Sequence, residues 1–211
     1  MSGSTTYVLF RRRTFFLFVA PIILILIARP TPRVFWIGLP FAIVGELIRV
    51  WSAGYLSKLS KLVTAGPFAL CRNPLYVGSF LISVGYFFTC NRMDAWIGGV
   101  ALFWLFHGGA VIYEERLLRD AFGEDFEEYC RNVPRFLPRF SAGWRFPNRH
   151  PLPAGWRFPN RHPEGSFSWK QFMLNNEYRG VIATALLSVA FGFIAYRPDF
   201  APLNWIIRSL G

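Results

Sequence analysis

Two short segments hold most of the residues that could do chemistry. The first runs from Gly66 to Gly78 and contains an arginine, an Asn-Pro pair and a tyrosine. The second begins with the adjacent carboxylates Glu114 and Glu115. Paired carboxylates accept hydrogen bonds from hydroxyls and amines and can balance a cation, whereas an arginine or a helix start attracts a carboxylate. Together these groups could bind a ligand with an amino-acid end, a ribose and a positive centre.

S-adenosylmethionine has these three features. Its methyl group is transferred by direct displacement at a sulfonium, which needs no metal, covalent nucleophile or extended proton relay. The protein would contribute alignment of the reactants and exclusion of water. The residue types therefore favour methyl transfer, and no metal is expected because the cysteines and histidines are too scattered to form a ligand set.

An apolar hairpin should bring the two segments together. It consists of two apolar stretches, Leu75–Cys90 and Ala95–Tyr113, joined by a short polar turn. Because a hairpin returns its ends to the same side of a bilayer, we expect the two segments to meet at one membrane face. Adjacent helical residues point about 100° apart, so one glutamate is expected to contact the ligand and the other to pair with an arginine. The candidates for that pairing are Arg72, Arg116 and Arg119.

The composition is that of a membrane protein. Hydrophobic residues make up 53% of the chain, and charged residues only 17%, against about 25% in soluble domains. Stretches apolar enough to cross or nearly cross a bilayer are Thr14–Ala28, Val34–Leu56, Leu75–Cys90, Ala95–Tyr113 and Gly180–Tyr196. The expected fold is an all-α polytopic membrane helical bundle of about five transmembrane helices, with a cytoplasmic amphipathic helix and a cofactor pocket.

The distribution of Lys and Arg gives an expected orientation. With the N-terminus in the cytoplasm, 17 basic residues fall in cytoplasmic segments and five on the opposite side. Cytoplasmic loops carry such an excess, so the N-terminus and the site are expected in the cytoplasm and the C-terminus across the membrane. In a prokaryote this would be the inner membrane. Topology and anionic lipid headgroups account for the net charge of +11, and no nucleic-acid partner is expected.

A single integral-membrane domain is expected over residues 1–211. Its core would span residues 44–139, followed by a cytoplasmic loop at 140–179 and an extra C-terminal span at 180–196. The loop holds the string AGWRFPNRHP twice in tandem. Two copies are too few to build a repeat fold, so we interpret them as an accidental duplication that is tolerated in a linker.

Two further helical patterns bear on the site. In residues 114–133, apolar residues recur every four positions and acidic residues occupy the opposite side. This pattern predicts an amphipathic helix on the membrane face. In the second span, Glu46 and Arg49 are three residues apart and can pair on one helix face. Ionisable residues within a span are costly. Arg49 is therefore either part of a structural ion pair or a holder of an anion at the site.

These motifs closely resemble those of the integral-membrane methyltransferases of the isoprenylcysteine carboxyl methyltransferase and phospholipid methyltransferase group. That group's pattern is a Gly-Pro-Tyr turn, Arg-His-Pro-x-Tyr-x-Gly, a transmembrane hairpin, Glu-Glu-x-x-Leu, Phe-Gly-x-x-Tyr-x-x-Tyr and Val-Pro-Arg-x-x-Pro. Here the segments are GPFALCRNPLYVG, EERLL, FGEDFEEY and VPRFLP, between about Val44 and Arg139. Asn73 replaces the commoner histidine and Phe126 replaces the first tyrosine, so no mechanism that needs an imidazole at position 73 is expected.

The resemblance implies S-adenosylmethionine as cofactor, S-adenosylhomocysteine as product, and a lipophilic substrate that enters from the lipid bilayer. The residues that fall on the cofactor motifs are Thr64, Gly66, Arg72, Asn73, Pro74, Leu75, Tyr76, Gly78, Glu114 and Glu115. The candidates for catalysis and for the substrate end are Arg49, Arg135 and Tyr76.

The alternatives differ first in the substrate group that accepts the methyl. The leading expectation is O-methylation of a prenylcysteine-like carboxylate, which arrives ionised and needs only an arginine to orient it. The alternative is N-methylation of a phospholipid amine, for which Glu115 or Tyr76 would accept a proton. Two other classes are a sterol-reductase-like enzyme that uses NADPH, and a non-enzymatic membrane scaffold or small transporter.

Overall fold

The computed structural model of the chain describes residues 19–56, 62–138 and 166–200, and regular structure in these ranges is helical. The helices are α1 (19–27), α2 (Pro32–Tyr55), α3 (Pro74–Cys90), α4 (Met93–Phe103), α5 (Gly109–Asn132), α6 (Trp169–Leu174) and α7 (Tyr178–Tyr196). A π-helical turn at Trp104–Gly108 joins α4 to α5 without a break, and single 3₁₀ turns lie at Gly66–Ala69 and Pro198–Phe200.

Local sequence signals begin and end these helices where expected. Pro32 opens α2 behind Thr31, whose side chain accepts a hydrogen bond from the amide of Val34 at 3.5 Å. Pro74 likewise occupies the first turn of α3, a position where its missing amide hydrogen costs nothing. Asn91 ends α3 in the left-handed conformation with φ of 55°. The chain then turns directly into α4, which forms the predicted hairpin.

The all-helical fold class is confirmed over the described ranges. Three helical stretches are long and apolar enough to cross a membrane, namely Pro32–Tyr55, Met93–Asn132 and Tyr178–Tyr196. With 17 residues, α3 is shorter than a typical span of about 20. The number of five spans therefore stays a prediction, and residues 14–18 of the first one lie outside the described residues.

Glycines allow α2 and α3 to pack backbone to backbone. A Cβ atom on Gly85 would lie 2.6 Å from the carbonyl oxygen of Gly38, and one on Gly45 would lie 2.5 Å from the carbonyl oxygen of Gly78. Both distances are far below van der Waals contact. Small residues at this spacing are the usual means of close helix approach in membranes, and here they fix α3 against the middle of α2.

The C-terminal helices also pack against α2, and α7 contacts α3 as well through Tyr86. Asn175 donates from Nδ2 to the carbonyl oxygens of Ala53 and Leu56, each at 2.9 Å. The amide of Ser168 donates to the carbonyl oxygen of Gly54 at 3.0 Å. The last part of the predicted 140–179 loop is thus a short helix docked on α2. The tandem repeat lies outside the described residues, as do residues 57–61 between α2 and α3.

Helix α5 continues well past the paired glutamates, as predicted. Gly123 interrupts it with φ of 51° and ψ of −120°, and the helix resumes to Asn132. Beyond this kink, Phe126, Tyr129 and Val133 are buried together, whereas Glu124 and Asp125 are exposed. Buried and exposed residues thus lie on different sides of this part of the helix, and the amphipathic helix at the membrane face stays a prediction.

The glycine contact gives a direct test of the α2–α3 packing. We expect Gly85→Ala to lower the free energy of unfolding by about 1–3 kcal/mol, because the added methyl would meet backbone that has no room to move. Thermal unfolding in detergent measures this. Gly98→Ala is the matched control, since a Cβ there has no heavy atom within 4 Å. Equal unfolding midpoints for the two variants would contradict the packing described here.

Candidate active site

The carboxylate of Glu115 is the centre of a buried polar cluster. Its residue is only 4% exposed. Arg135 donates to it from Nη2 at 2.7 Å and from Nε at 3.1 Å. Asn73 donates from Nδ2 to Oε1 at 3.0 Å, and Nε of Arg72 lies 3.4 Å from the same oxygen. We refer to these four residues as the Glu115 cluster.

The predicted pairing of one glutamate with an arginine is present in the structure, whereas the predicted ligand contact of the other stays a prediction. Glu115 pairs with Arg72, one of the three predicted partners, and also with Arg135. The neighbouring Glu114 is turned toward α3, where the hydroxyl of Tyr76 donates to its Oε1 at 2.7 Å. The hairpin therefore brings the two sequence segments together, and each glutamate contacts a different residue of the first segment.

Hydrogen bonds also join a third motif, the Val-Pro-Arg segment after α5, to the turn before α3. The amide of Arg72 donates to the carbonyl oxygen of Pro134 at 2.8 Å, and its Nη1 donates to the carbonyl oxygen of Cys130 at 3.0 Å. The hydroxyl of Tyr129 donates to the carbonyl oxygen of Phe68. The end of α5 and the Val-Pro-Arg segment thus close over the turn that precedes α3.

The other predicted cofactor residues have mixed surroundings. Thr64 is exposed, Pro74 is buried and Leu75 is half-buried. Gly66 has φ of 60°, which favours glycine, and a Cβ there would lie 2.7 Å from the ring of Tyr55. Gly78 borders α2, so the close approach that its missing side chain permits is to a helix in this structure.

Arg49 lies in a second polar cluster, on the α2 side of α3. Its guanidinium contacts the carboxylate of Glu177 and the hydroxyl of Ser79, each at 2.5 Å, and the predicted pair with Glu46 is present at 3.9 Å. Thr184 donates to Glu46 at 2.7 Å. We refer to Glu46, Arg49, Ser79, Glu177 and Thr184 as the Arg49 cluster. It does not include the Tyr76–Glu114 pair.

Sequence reasoning did not select Ser79, Glu177 or Thr184. Ser79 carried a usable signal, because it follows Tyr76 by three residues and so continues the polar row of α3. Glu177 was assigned to the loop before the last span. Its pairing with Arg49 joins residues 128 positions apart, and no local pattern indicates such a contact.

One aromatic ring next to the Tyr76–Glu114 pair comes from the π-helical turn. The ring of His107, in the π-helical turn, contacts Tyr76 edge-on with centroids 5.7 Å apart. Its Nδ1 lies 3.1 Å from the carbonyl oxygen of Phe103. Single π-helical turns often occur at functional sites, and this one lies less than two turns before Glu114. Two shallow surface concavities follow the C-terminal end of α5, and neither is lined by the predicted cofactor residues.

Two ionisable groups just outside the spans have shifted pKa values. Burial raises the pKa of the Cys71 thiol from 9.0 to about 11. The hydrogen bonds from Arg135 to Glu115 raise the pKa of that guanidinium further above its usual value. Arg135 is therefore a permanent cation, and its side chain is 48% exposed, so it can also face a ligand or substrate at the rim of the cluster.

Comparison with known proteins shows what this region is similar to. Residues 35–125, which contain α2, the hairpin and the paired glutamates, match the family model described as phospholipid methyltransferase. The resemblance seen in the sequence motifs is thereby confirmed, and the family name indicates a methyltransferase. No solved structure matches the chain.

Relatives of different description share the same part of the chain. The cobalt-zinc-cadmium resistance protein CzcN of Cupriavidus metallidurans is 38% identical over 107 residues, covering 50% of this chain and 48% of that protein. The probable protein-S-isoprenylcysteine O-methyltransferase of Oryza sativa is 33% identical over 116 residues, covering 49% and 60%. Protein-S-isoprenylcysteine O-methyltransferase B of Arabidopsis thaliana is 34% identical over 114 residues, covering 48% and 57%. The chain thus spans roughly half the length of these relatives.

Removing the central carboxylate should destabilise the fold. We expect Glu115→Gln to lower the free energy of unfolding by about 3 kcal/mol, because the neutral amide leaves the buried guanidinium of Arg72 without its counter-charge. Chemical denaturation in detergent measures this. Glu124→Gln, an exposed glutamate on the same helix, should leave the free energy unchanged. A Glu115 variant as stable as the Glu124 variant would show that the cluster does not hold the motifs together.

Cys71 should resist alkylation in the folded protein. With a pKa of about 11, about one thiol in a thousand is ionised at pH 8, and the thiolate is the reactive form. Because the folded pKa exceeds the reference value of 9.0, the associated stability is full below pH 9 and is lost as pH rises toward 11. Peptide mass spectrometry after iodoacetamide treatment at pH 8 should find Cys71 unmodified natively and modified in denaturant. Rapid native modification would contradict its burial.

Proposed function

We propose that this chain is an integral-membrane methyltransferase that uses S-adenosylmethionine to methylate a lipophilic acceptor. The observation that carries the proposal is the meeting of three motif segments at one end of the hairpin. Tyr76 contacts Glu114, and Asn73 and Arg135 both contact Glu115. The family match and the names of the plant relatives support the same reaction type.

The two glutamates have different roles in this proposal. Glu115 accepts hydrogen bonds from Asn73 and Arg135 and is nearly inaccessible, so it orders the motifs rather than the ligand. Glu114 is half-buried and holds the hydroxyl of Tyr76. A carboxylate accepts up to about four hydrogen bonds. Glu114 and Tyr76 are therefore the pair best suited to contact ribose hydroxyls, an amino group or a positive centre.

The donor set fits S-adenosylmethionine, which when bound would supply an electrophilic methyl group. Glu114 and Tyr76 would hold its polar hydroxyl and ammonium groups. Arg135, a cation at the rim with about half of its side chain exposed, would hold a carboxylate. The apolar helices around this end of the hairpin would exclude water, which strengthens these contacts. The chain's contribution to the rate is then alignment and desolvation.

Both acceptor types can be accommodated by these residues. A prenylcysteine-like carboxylate arrives ionised, so that Arg135 or Arg49 needs only to orient it. The plant relatives named for isoprenylcysteine favour this acceptor. A phospholipid amine must lose a proton before it reacts, and the Glu114–Tyr76 pair would accept it. The family description, phospholipid methyltransferase, favours that second acceptor.

Binding of S-adenosylhomocysteine to the detergent-purified full chain tests the proposal. We expect a calorimetric binding signal that weakens about tenfold in Tyr76→Phe and at least as much in Glu114→Gln, because a hydrogen bond to a charged group contributes about 1.5–3 kcal/mol. The thermal midpoints of both variants should remain within a few degrees of the parent value.

The matched control is Tyr178→Phe, a tyrosine at the start of α7 that contacts Arg179. It should bind S-adenosylhomocysteine with the parent affinity. NADPH, titrated in parallel, should give no signal. If NADPH binds and S-adenosylhomocysteine does not, the chain is a reductase, and if neither binds, the membrane-scaffold alternative is favoured.

A further inference from the structure

The last helix supplies a charged partner to the family-matched region. Glu177 precedes the first residue of α7 and lies outside residues 35–125. Its carboxylate accepts a hydrogen bond from Nη2 of Arg49 at 2.5 Å. Both side chains are 22% exposed, which makes this a largely sheltered pair between α2 and α7. An ion pair within an apolar bundle is costly to build, so its purpose needs an explanation.

The contacts of Arg49 continue from Glu177 into α3. Its Nη1 donates to the hydroxyl of Ser79 at 2.5 Å, and that hydroxyl donates to the carbonyl oxygen of Leu75 at 3.0 Å. Leu75 lies between Pro74 and Tyr76 in the first turn of α3. A continuous hydrogen-bonded chain therefore runs from α7 through α2 to the backbone turn that carries Tyr76.

Glu46 does not replace Glu177 in holding this guanidinium. Thr184 of α7 donates to Glu46 Oε2 at 2.7 Å, and Glu46 Oε1 lies 3.9 Å from Nε of Arg49. Within the described part of the chain, these last two atoms are buried and make no hydrogen bond. The hydrogen bonds that fix the direction of the Arg49 head group therefore come from Glu177 and Ser79.

The path of the Arg49 side chain restricts it further. A Cβ on Gly78 would lie 2.8 Å from Cγ of Arg49, and one on Gly180 would lie 3.2 Å from its Nη2. The aliphatic stem thus runs against the backbone of α3 and the head group against the backbone of α7. With both helices in contact, the guanidinium is held between Glu177 and Ser79.

We propose that Glu177 is a positioning residue for the first turn of α3, acting through Arg49 and Ser79 on the Leu75 carbonyl. The inference rests on the proposed function for its link to methyl transfer, because Tyr76 of that turn is a proposed cofactor contact. In this assignment Glu177 acts on the turn that carries Tyr76 through Arg49 and Ser79. Through Glu177 at its start, α7 thus helps to set the orientation of the turn that carries Tyr76.

A double-mutant cycle tests the proposal in the full chain. The variants are Glu177→Gln, Ser79→Ala and the two combined. Ser188→Ala is the matched control, because its hydroxyl on α7 contacts Tyr86 at 3.1 Å and takes no part in the chain of contacts to Leu75. Two quantities are measured, namely hydrogen exchange of the Tyr76 and Val77 amides without ligand, and affinity for S-adenosylhomocysteine.

We expect faster exchange at both amides and about fivefold weaker binding in each single variant, with no further loss in the double variant. Ser188→Ala should change neither quantity, even where its thermal midpoint falls as much as that of Glu177→Gln. Additive losses, or exchange rates equal to those of the control, would overturn the proposal. Should Glu177→Gln fail to fold, Ser79→Ala alone decides, since it keeps every charge.

The two proposals fail in different ways. If the parent chain does not bind S-adenosylhomocysteine and exchange at Tyr76 still rises in Glu177→Gln, the positioning role stands and the methyltransferase proposal falls. If the parent binds the ligand and the variants exchange and bind as the parent does, the positioning role falls alone.

Discussion

A carboxylate that is withdrawn from water must be surrounded by donors, and Glu115 of α5 satisfies this requirement with groups from two other segments. Asn73 and Arg72 come from the turn before α3, and Arg135 comes from the segment after α5. Because each donor is tied to its own backbone, the positions of all three segments are set together. Because Glu114 is adjacent to Glu115 on α5, this arrangement also directs its side chain toward Tyr76.

The close packing of α2 on α3 determines what lies on the other side of the site. Backbone contact at the glycine pairs leaves no space between these helices, so Arg49 must extend along α3 rather than away from it. The first two turns of α3 therefore meet a carboxylate of α5 through Tyr76 and a guanidinium of α2 through Ser79. One short helix thus lies between the paired glutamates of α5 and the Arg49 cluster.

The parts of this arrangement that follow from local rules could be predicted from the sequence. Prolines at the first positions of α2 and α3, the apolar hairpin and the four-residue pattern of α5 each act within a few residues. The choice between Glu114 and Glu115 could not be predicted, because it depends on where Arg135 returns after the end of α5. Likewise, Glu177 meets Arg49 only once α7 lies on α2. Gly78 shows a third case, since its open surface was equally compatible with a ligand and with a helix.

The helical stretch from Met93 to Asn132 has a consequence for depth. Its 40 residues, kinked at Gly123 near the end, exceed the roughly 20 that cross a bilayer. Glu114 follows Met93 by about 32 Å of helix axis. When Met93 lies at one boundary of the hydrocarbon, the paired glutamates reach the other boundary. In the proposed function, a lipophilic acceptor would therefore present its polar end to Glu114 and Tyr76 while its chains stay among the lipid tails.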